Sequence, residues 1–204
     1  MIGQPHERTR LKQRLRRARE RAVAKNIRAL PDRRYGVILA DPEWRFEPYS
    51  RVTGMDRAAD NHYPTSTLDV IKSRNVRSIA ARDCCLFLWA TAPMLPQALE
   101  VMQAWGFAYK SHFIWYKDRI GTGYWNRNQH ELLLIGTRGK IPAPAPGTQW
   151  ASVQLAKRGA HSAKPEEFYR LIETYYPTVR KIELNARTRR KGWDAWGPEA
   201  NGSE

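Results

Sequence analysis

The sequence predicts one α/β domain built on a mostly parallel sheet with helices on both faces, and three observations predict it. The strand-like runs are apolar at both odd and even positions, so each needs cover on both sides. Helix-like stretches fall between them, as crossover connections require. The 204 residues suffice for one such domain with a proper core and are too few for two. The expected strands are Tyr35 to Ala40, Cys84 to Ala90, Ser111 to Tyr116, Glu131 to Ile135 and Arg180 to Leu184. The expected helices are Gln97 to Trp105 and Glu166 to Tyr175, the second opening with Lys164-Pro165-Glu166-Glu167, where proline and acids suit a first turn.

Around this core lie segments of other character. Residues 1–34 carry 12 Lys and Arg against three acids, a net +9, and Leu11, Leu15, Ala18 and Ala22 recur at helical spacing, so a basic helical extension is expected. Its Arg14, Arg16, Arg17 and Arg21 are candidates for nucleic-acid contact, because arginines outnumber compensating acids on every turn. Arg45 to Thr65, Lys117 to His130 and Ile141 to Gly159 read as long polar loops, and loops of that length tend to serve function. The first directly follows the most informative motif of the chain, so a substrate-gating role is expected of it. The domain proper spans 35–199, and residues 200–204 read as a disordered tail.

The formal net charge of +15 favours a polyanionic partner, and eight Trp offer stacking platforms for unpaired bases. Cys84 and Cys85 are adjacent on an expected strand, so they face opposite ways and form neither an ordinary disulfide nor a metal pair. A reducing, cytoplasmic setting follows. No apolar run approaches the roughly 18–20 residues of a membrane span, and no secretory signal is expected from the arginine-rich start. The five histidines lack ligand spacing, so no metal site is expected, and no glycine-rich dinucleotide loop is present.

Asp41-Pro42-Glu43-Trp44 stands at the exit of the first strand, where open α/β sheets bind their ligands. A carboxylate, a proline carbonyl and a large aromatic can hold a flat heterocyclic amine by accepting its two N–H bonds and stacking on its ring. An exocyclic adenine amine needs such a site before it can attack a methyl donor. The quartet is one of several ordered blocks: Val37 to Trp44, Leu86 to Thr91, Ile114 to Lys117, His161 to Glu166 and Lys181 to Arg187. Together they resemble the adenine N6-methyltransferase family that includes the catalytic subunit of the eukaryotic messenger-RNA writer, with bacterial and phage DNA-modifying members the closest in look.

The resemblance implies a Rossmann-like methyltransferase domain that takes a methyl group from S-adenosyl-L-methionine. It implies catalytic roles for Asp41, Pro42, Trp44 and Tyr63, the last in the loop after the quartet. Among cofactor residues it implies Asp41, Lys164 toward the methionine carboxylate, Glu183 toward the ribose hydroxyls, and Asn185, Arg187 and Glu199 nearby. Lys117, at a strand end, is a candidate for a substrate phosphate. Two positions depart from the family pattern: Glu43 replaces a second proline, which removes rigidity and adds a carboxylate, and Pro198 replaces the usual asparagine.

The sequence reads as an N6-adenine methyltransferase acting on nucleic acid, with DNA favoured over RNA. The rivals are the same chemistry on RNA, a catalytically weak relative that binds nucleic acid or completes a heterodimer, and a basic architectural protein. A membrane partner is not expected, and the oligomeric state is left open, homodimer and heterodimer included.

Overall fold

The computed structural model describes residues 29–44, 66–123, 125–159 and 163–197. The basic extension with Arg14, Arg16, Arg17 and Arg21, the Arg45 to Thr65 loop with Tyr63, and Glu199 with the tail lie outside the described residues.

Seven strands form one sheet in the order β5-β3-β4-β2-β1-β6-β7. They are β1 Tyr35–Ala40, β2 Ala80–Thr91, β3 Ala108–Lys117, β4 His130–Arg138, β5 Val153–Ala156, β6 Lys181–Leu184 and β7 Trp193–Trp196. The pairs β1·β2, β1·β6, β6·β7 and β3·β5 are parallel, whereas β4 runs antiparallel to both β2 and β3. The sheet is therefore mixed, with β4 alone reversed. The helices are α1 Leu68–Ser73, α2 Val76–Ile79, α3 Leu95–Ala104 and α4 Glu166–Tyr175.

Each strand's alternating side chains feed two separate cores. Ile38, Leu86, Leu88, Leu134 and Ile182 pack under Ile71, Val76, Val101 and Met102 of α1, α2 and α3. Val37, Leu39, Phe87, Trp89 and Leu133 pack under Phe168, Leu171 and Ile172 of α4, whose spacing of three and one gives one apolar stripe. Cys84 and Cys85 divide between these cores, as strand alternation requires. Burial pushes both thiols up to about 12, so neither is a ready nucleophile.

The expected elements form, with β2, β3 and β4 longer than their apolar centres. Two strands were not expected. β5 lies inside the segment read as the loop Ile141 to Gly159, and β7 lies in the aromatic Trp193-Asp-Ala-Trp196 run. Each has four residues and stands at a sheet edge, too short to show a periodicity of its own.

The topology brings distant residues to one edge. The parallel strands β1 and β6 both end there, delivering Asp41 and Asn185, and β3 ends there with Lys117. Because β4 is reversed, it starts at that edge, and Glu131 sits opposite Thr91 on β2 and Trp115 on β3. Lys164, just before α4, completes the ring.

Candidate active site

Four charged side chains alternate along this edge. Lys164 Nζ donates to Asp41 Oδ2 at 2.8 Å and lies 3.3 Å from Glu131 Oε2, while Lys117 pairs with Glu131 through Oε1. Lys164 also sits 5.2 Å from the centre of the Trp89 ring. Burial works against the ammonium of Lys164, but Asp41 and Glu131 outweigh it and hold its pKa above the ordinary lysine value. Burial likewise opposes the charge on Glu131, and the two lysines overcome it, so its pKa is lowered. Charges withdrawn from water need partners, and each group in the row has an opposite neighbour.

Glu183 has a different electrostatic setting. Burial raises its pKa to about 7; the hydrogen bond from the Tyr169 hydroxyl at 2.9 Å pulls the other way, and the charge of Asp41 raises it further. Tyr169 is itself held from above by the Arg190 guanidinium, 4.9 Å from its ring centre. Arg190 in turn is anchored by Glu166 and Glu173 of α4. The resulting linkage has a definite sign. Between the ordinary 4.5 and about 7 the native carboxyl keeps a proton that the unfolded chain has lost, so stability falls as pH rises through that window. Glu183→Gln is expected to remove this loss, on the order of 2–3 kcal/mol. Urea midpoints at pH 5 and pH 8 check it: equal pH slopes in native and variant chains would show that Glu183 does not titrate in this window.

Glu43 is tied from three sides. Ser66 Oγ donates to Oε1 at 2.6 Å, Arg74 pairs with the same oxygen, and the Asn185 amide donates to Oε2. Arg74 also donates to Asn185 Oδ1 at 3.3 Å. Burial opposes the charge, but the Arg74 and Ser66 bonds hold Glu43 below the usual carboxylate range.

The sequence-predicted residues do not all gather at one point. Asp41, Lys164 and Glu183 converge, since Asp41 bonds to Lys164 and its charge acts on Glu183. Trp44, expected to stack on the base, is packed in the core with its indole N–H on the Trp89 carbonyl at 2.9 Å, leaving 9% of the residue accessible. One lone pair of the Pro42 carbonyl accepts from Trp44 N at 2.8 Å, which leaves a second for a ligand. Asn185 has both side-chain polar atoms engaged by Glu43 and Arg74, and Arg187 stands half-buried two residues on. Lys117, expected at a phosphate, is engaged instead by Glu131 and by the Trp115 ring at 4.7 Å. The more exposed Arg119 and Arg158 line the adjoining cavity of about 280 Å³, beside Asp118.

Sequence reasoning missed Glu131, Arg74, Tyr169 and Trp89. Glu131 did carry a signal, as an acid at the mouth of the apolar run Leu132 to Ile135. Trp89 is fully buried, and its indole N–H has no hydrogen-bond acceptor among the described residues.

Known proteins resemble the chain along most of its length. A type II methyltransferase from Mycoplasma, M.MunI, is 36% identical over 185 residues, covering 83% of this chain and 79% of that protein. An Arabidopsis thaliana N(6)-adenosine-methyltransferase MT-A70-like protein is 30% identical over 82% of this chain, and the human N(6)-adenosine-methyltransferase catalytic subunit METTL3 is 29% identical over 83%. This chain spans only 24% and 29% of the length of those two larger proteins. The MT-A70 family profile matches residues 35–199, the whole domain from β1 past β7, and the chain belongs to that family.

Proposed function

We propose that this chain transfers a methyl group from S-adenosyl-L-methionine to the N6 amine of adenine in DNA. The observation that carries the proposal is Asp41 at the exit of β1, oriented by Lys164 through Oδ2, in a chain of the MT-A70 family. Lys164 occupies one carboxylate oxygen, and the other, Oδ1, takes one N–H of the amine. The free lone pair of the Pro42 carbonyl takes the second N–H. Two acceptors on one nitrogen draw its lone pair out of the ring and aim it for in-line attack. No strong base is needed, because the nitrogen's proton becomes acidic once it is methylated.

The residues present fit the cofactor. S-adenosyl-L-methionine supplies, when bound, a methyl group on a sulfonium whose departure leaves a neutral thioether. An ammonium has three N–H donors, and Lys164 commits two to Asp41 and Glu131, so a third remains for the methionine carboxylate. The Asp41 carboxylate suits a cationic ligand and Glu183 its ribose hydroxyls, and the indole N–H of Trp89, without an acceptor among the described residues, lies on the ring beside Lys164. Arg187 and Glu199 complete the cofactor set in this reading, and Tyr63 attends the acceptor base.

DNA is favoured because the Mycoplasma type II methyltransferase is 36% identical to the chain, against 30% and 29% for the two adenosine methyltransferases. The matches to the latter keep RNA as the second reading. A labelled-methyl transfer assay on single-stranded and duplex DNA and RNA tests both, with single strands, mismatches and flipped bases preferred because the adenine must leave its stack. No incorporation into either polymer would overturn the proposal. Two buried free thiols fit the reducing cytoplasm, and no helix among the described residues is long and apolar enough to cross a membrane.

The net +9 of residues 1–34 supports a second role, sequence-independent grip on phosphates. Replacing Arg14, Arg16, Arg17 and Arg21 with glutamine is expected to weaken DNA binding and to reduce the slope of log affinity against log salt, by up to about 0.9 for each phosphate no longer neutralised. Cofactor affinity should stay unchanged. Titrations at several salt concentrations check this, and an unaltered slope would place the grip elsewhere.

A further inference from the structure

We propose that Glu43 is a positioning residue, the centre of an ionic clasp that holds the Asp41-Pro42 acceptor pair against the loop after β6. The inference rests on the methyltransferase reading and adds a role for Glu43, one of the two positions expected to depart from the family pattern.

The clasp joins the segment after β1 to both ends of α1 and to the turn after β6, just beyond the last β1·β6 ladder pair at Ala40 and Leu184. Arg74 comes from the C-terminal cap of α1, Ser66 from just before that helix, and Asn185 from the turn after β6. The Arg74 to Asn185 bond closes the triangle. Backbone contacts reinforce it: Ser66 N donates to the Glu43 carbonyl at 3.0 Å, and Trp44 bridges Ser66. Glu43 thus fixes both Trp44 and Ser66, the two described residues that flank the 45–65 segment.

Asn185 shows what the clasp holds in place. Its φ of 62° is left-handed, the one such non-glycine residue among the described positions. Asparagine tolerates that conformation better than most residues, but it persists where surroundings over-determine it. Here both amide atoms are fixed by Glu43 and Arg74, and the backbone of the same turn is met closely by Gly197, where a Cβ would lie 2.9 Å from Ala186 N. The turn that leads to Arg187 is therefore set by the residue next to Pro42.

Electrostatics removes the alternative role. A free carboxylate at position 43 would act as a counter-charge to a sulfonium. This one is matched by Arg74, whose guanidinium lies 5.8 Å from the Trp196 ring centre, and side-chain exposures of 15% and 11% leave the pair largely out of water. Proline at this position would restrain the backbone through its ring; glutamate restrains it through three bonds and makes Arg74 dependent on it.

The test uses the full chain with Glu43→Gln, Glu43→Pro and the double variant Glu43→Gln/Arg74→Met, each measured for Tm, kcat and KM. Either single variant should lose kcat by about tenfold or more and melt lower, since each leaves Arg74 buried beside a neutral group. The double variant should regain most of the lost Tm, because a neutral pair replaces a broken ionic one, yet keep its kcat defect. Recovery of kcat together with Tm would overturn the proposal, showing that Glu43 only neutralises Arg74. A Glu43→Pro chain as active as the native one, or more active, would overturn it too. If the native chain transfers no methyl group to DNA or RNA, the functional reading fails first and the positioning role falls with it.

Discussion

Replacing Asp41 with alanine is expected to lower kcat by about a thousandfold or more, the scale of losing a preorganised group that acts on developing charge. The carboxylate is held at 2.8 Å by Lys164, so its orientation is set before substrate arrives. The adenine amine is poorly nucleophilic because its lone pair is delocalised, and Asp41 and the Pro42 carbonyl are the two acceptors that draw it out. An interaction made mainly in the transition state should appear in kcat as well as in kcat/KM. Asp41→Asn keeps one acceptor and nearly the same shape while losing the charge, and should fall between alanine and native. Single-turnover rates with saturating cofactor check both variants. A kcat within about tenfold of native in Asp41→Ala would remove Asp41 from the chemistry. A defect confined to KM would make it a binding residue only.

What could be read from the chain before its structure follows from how locally each feature is encoded. Strand β1 and helix α4 appear with the bounds expected of them, because a six-residue apolar run and an apolar stripe behind Pro165 are complete signals in themselves. Asp41 was legible for the same reason, standing directly after a buried strand. Glu131 was not, because its place beside Lys164 depends on β4 running backwards, and a strand's direction is set by its neighbours rather than by its residues. The Glu43 to Arg74 pair spans 31 positions and the Glu43 to Asn185 contact 142, so no window of sequence contains either. Lys117 shows the converse dependence on the fold. A lysine at a strand end reads as available for phosphate until the fold sets Glu131 beside it. Edge strands β5 and β7 were hidden because four residues with one or two buried positions carry little apolar signal, whereas β6, equally short, buries three.

Lys164→Met should produce the largest loss of stability and of cofactor affinity together. The native ammonium serves Asp41 and Glu131 at once with only 10% of its side chain exposed, so its removal leaves two half-buried carboxylates without their shared cation. Breaking a buried pair in this way costs about 3–5 kcal/mol. Lys117 still pairs with Glu131, so the strain falls mainly on Asp41. Lys164 is also the first of the charges that hold the Glu131 pKa down, so part of the stability that Glu131 gives in its ionised form goes with it; the variant's deficit in Tm should be largest near pH 8 and shrink as pH falls through the carboxylate range. The same change removes the third N–H offered to the methionine carboxylate, and calorimetry with S-adenosylhomocysteine should show affinity reduced by about tenfold or more. Lys164→Arg, which keeps the charge, should spare most of the stability while still disturbing the cofactor geometry. Two results would separate the roles. A Lys164→Met chain that melts lower but binds the cofactor product as tightly as native would make Lys164 a counter-ion for Asp41 and nothing more. A chain that loses binding with no pH-dependent loss of Tm would mean that Asp41 and Glu131 do not rely on it.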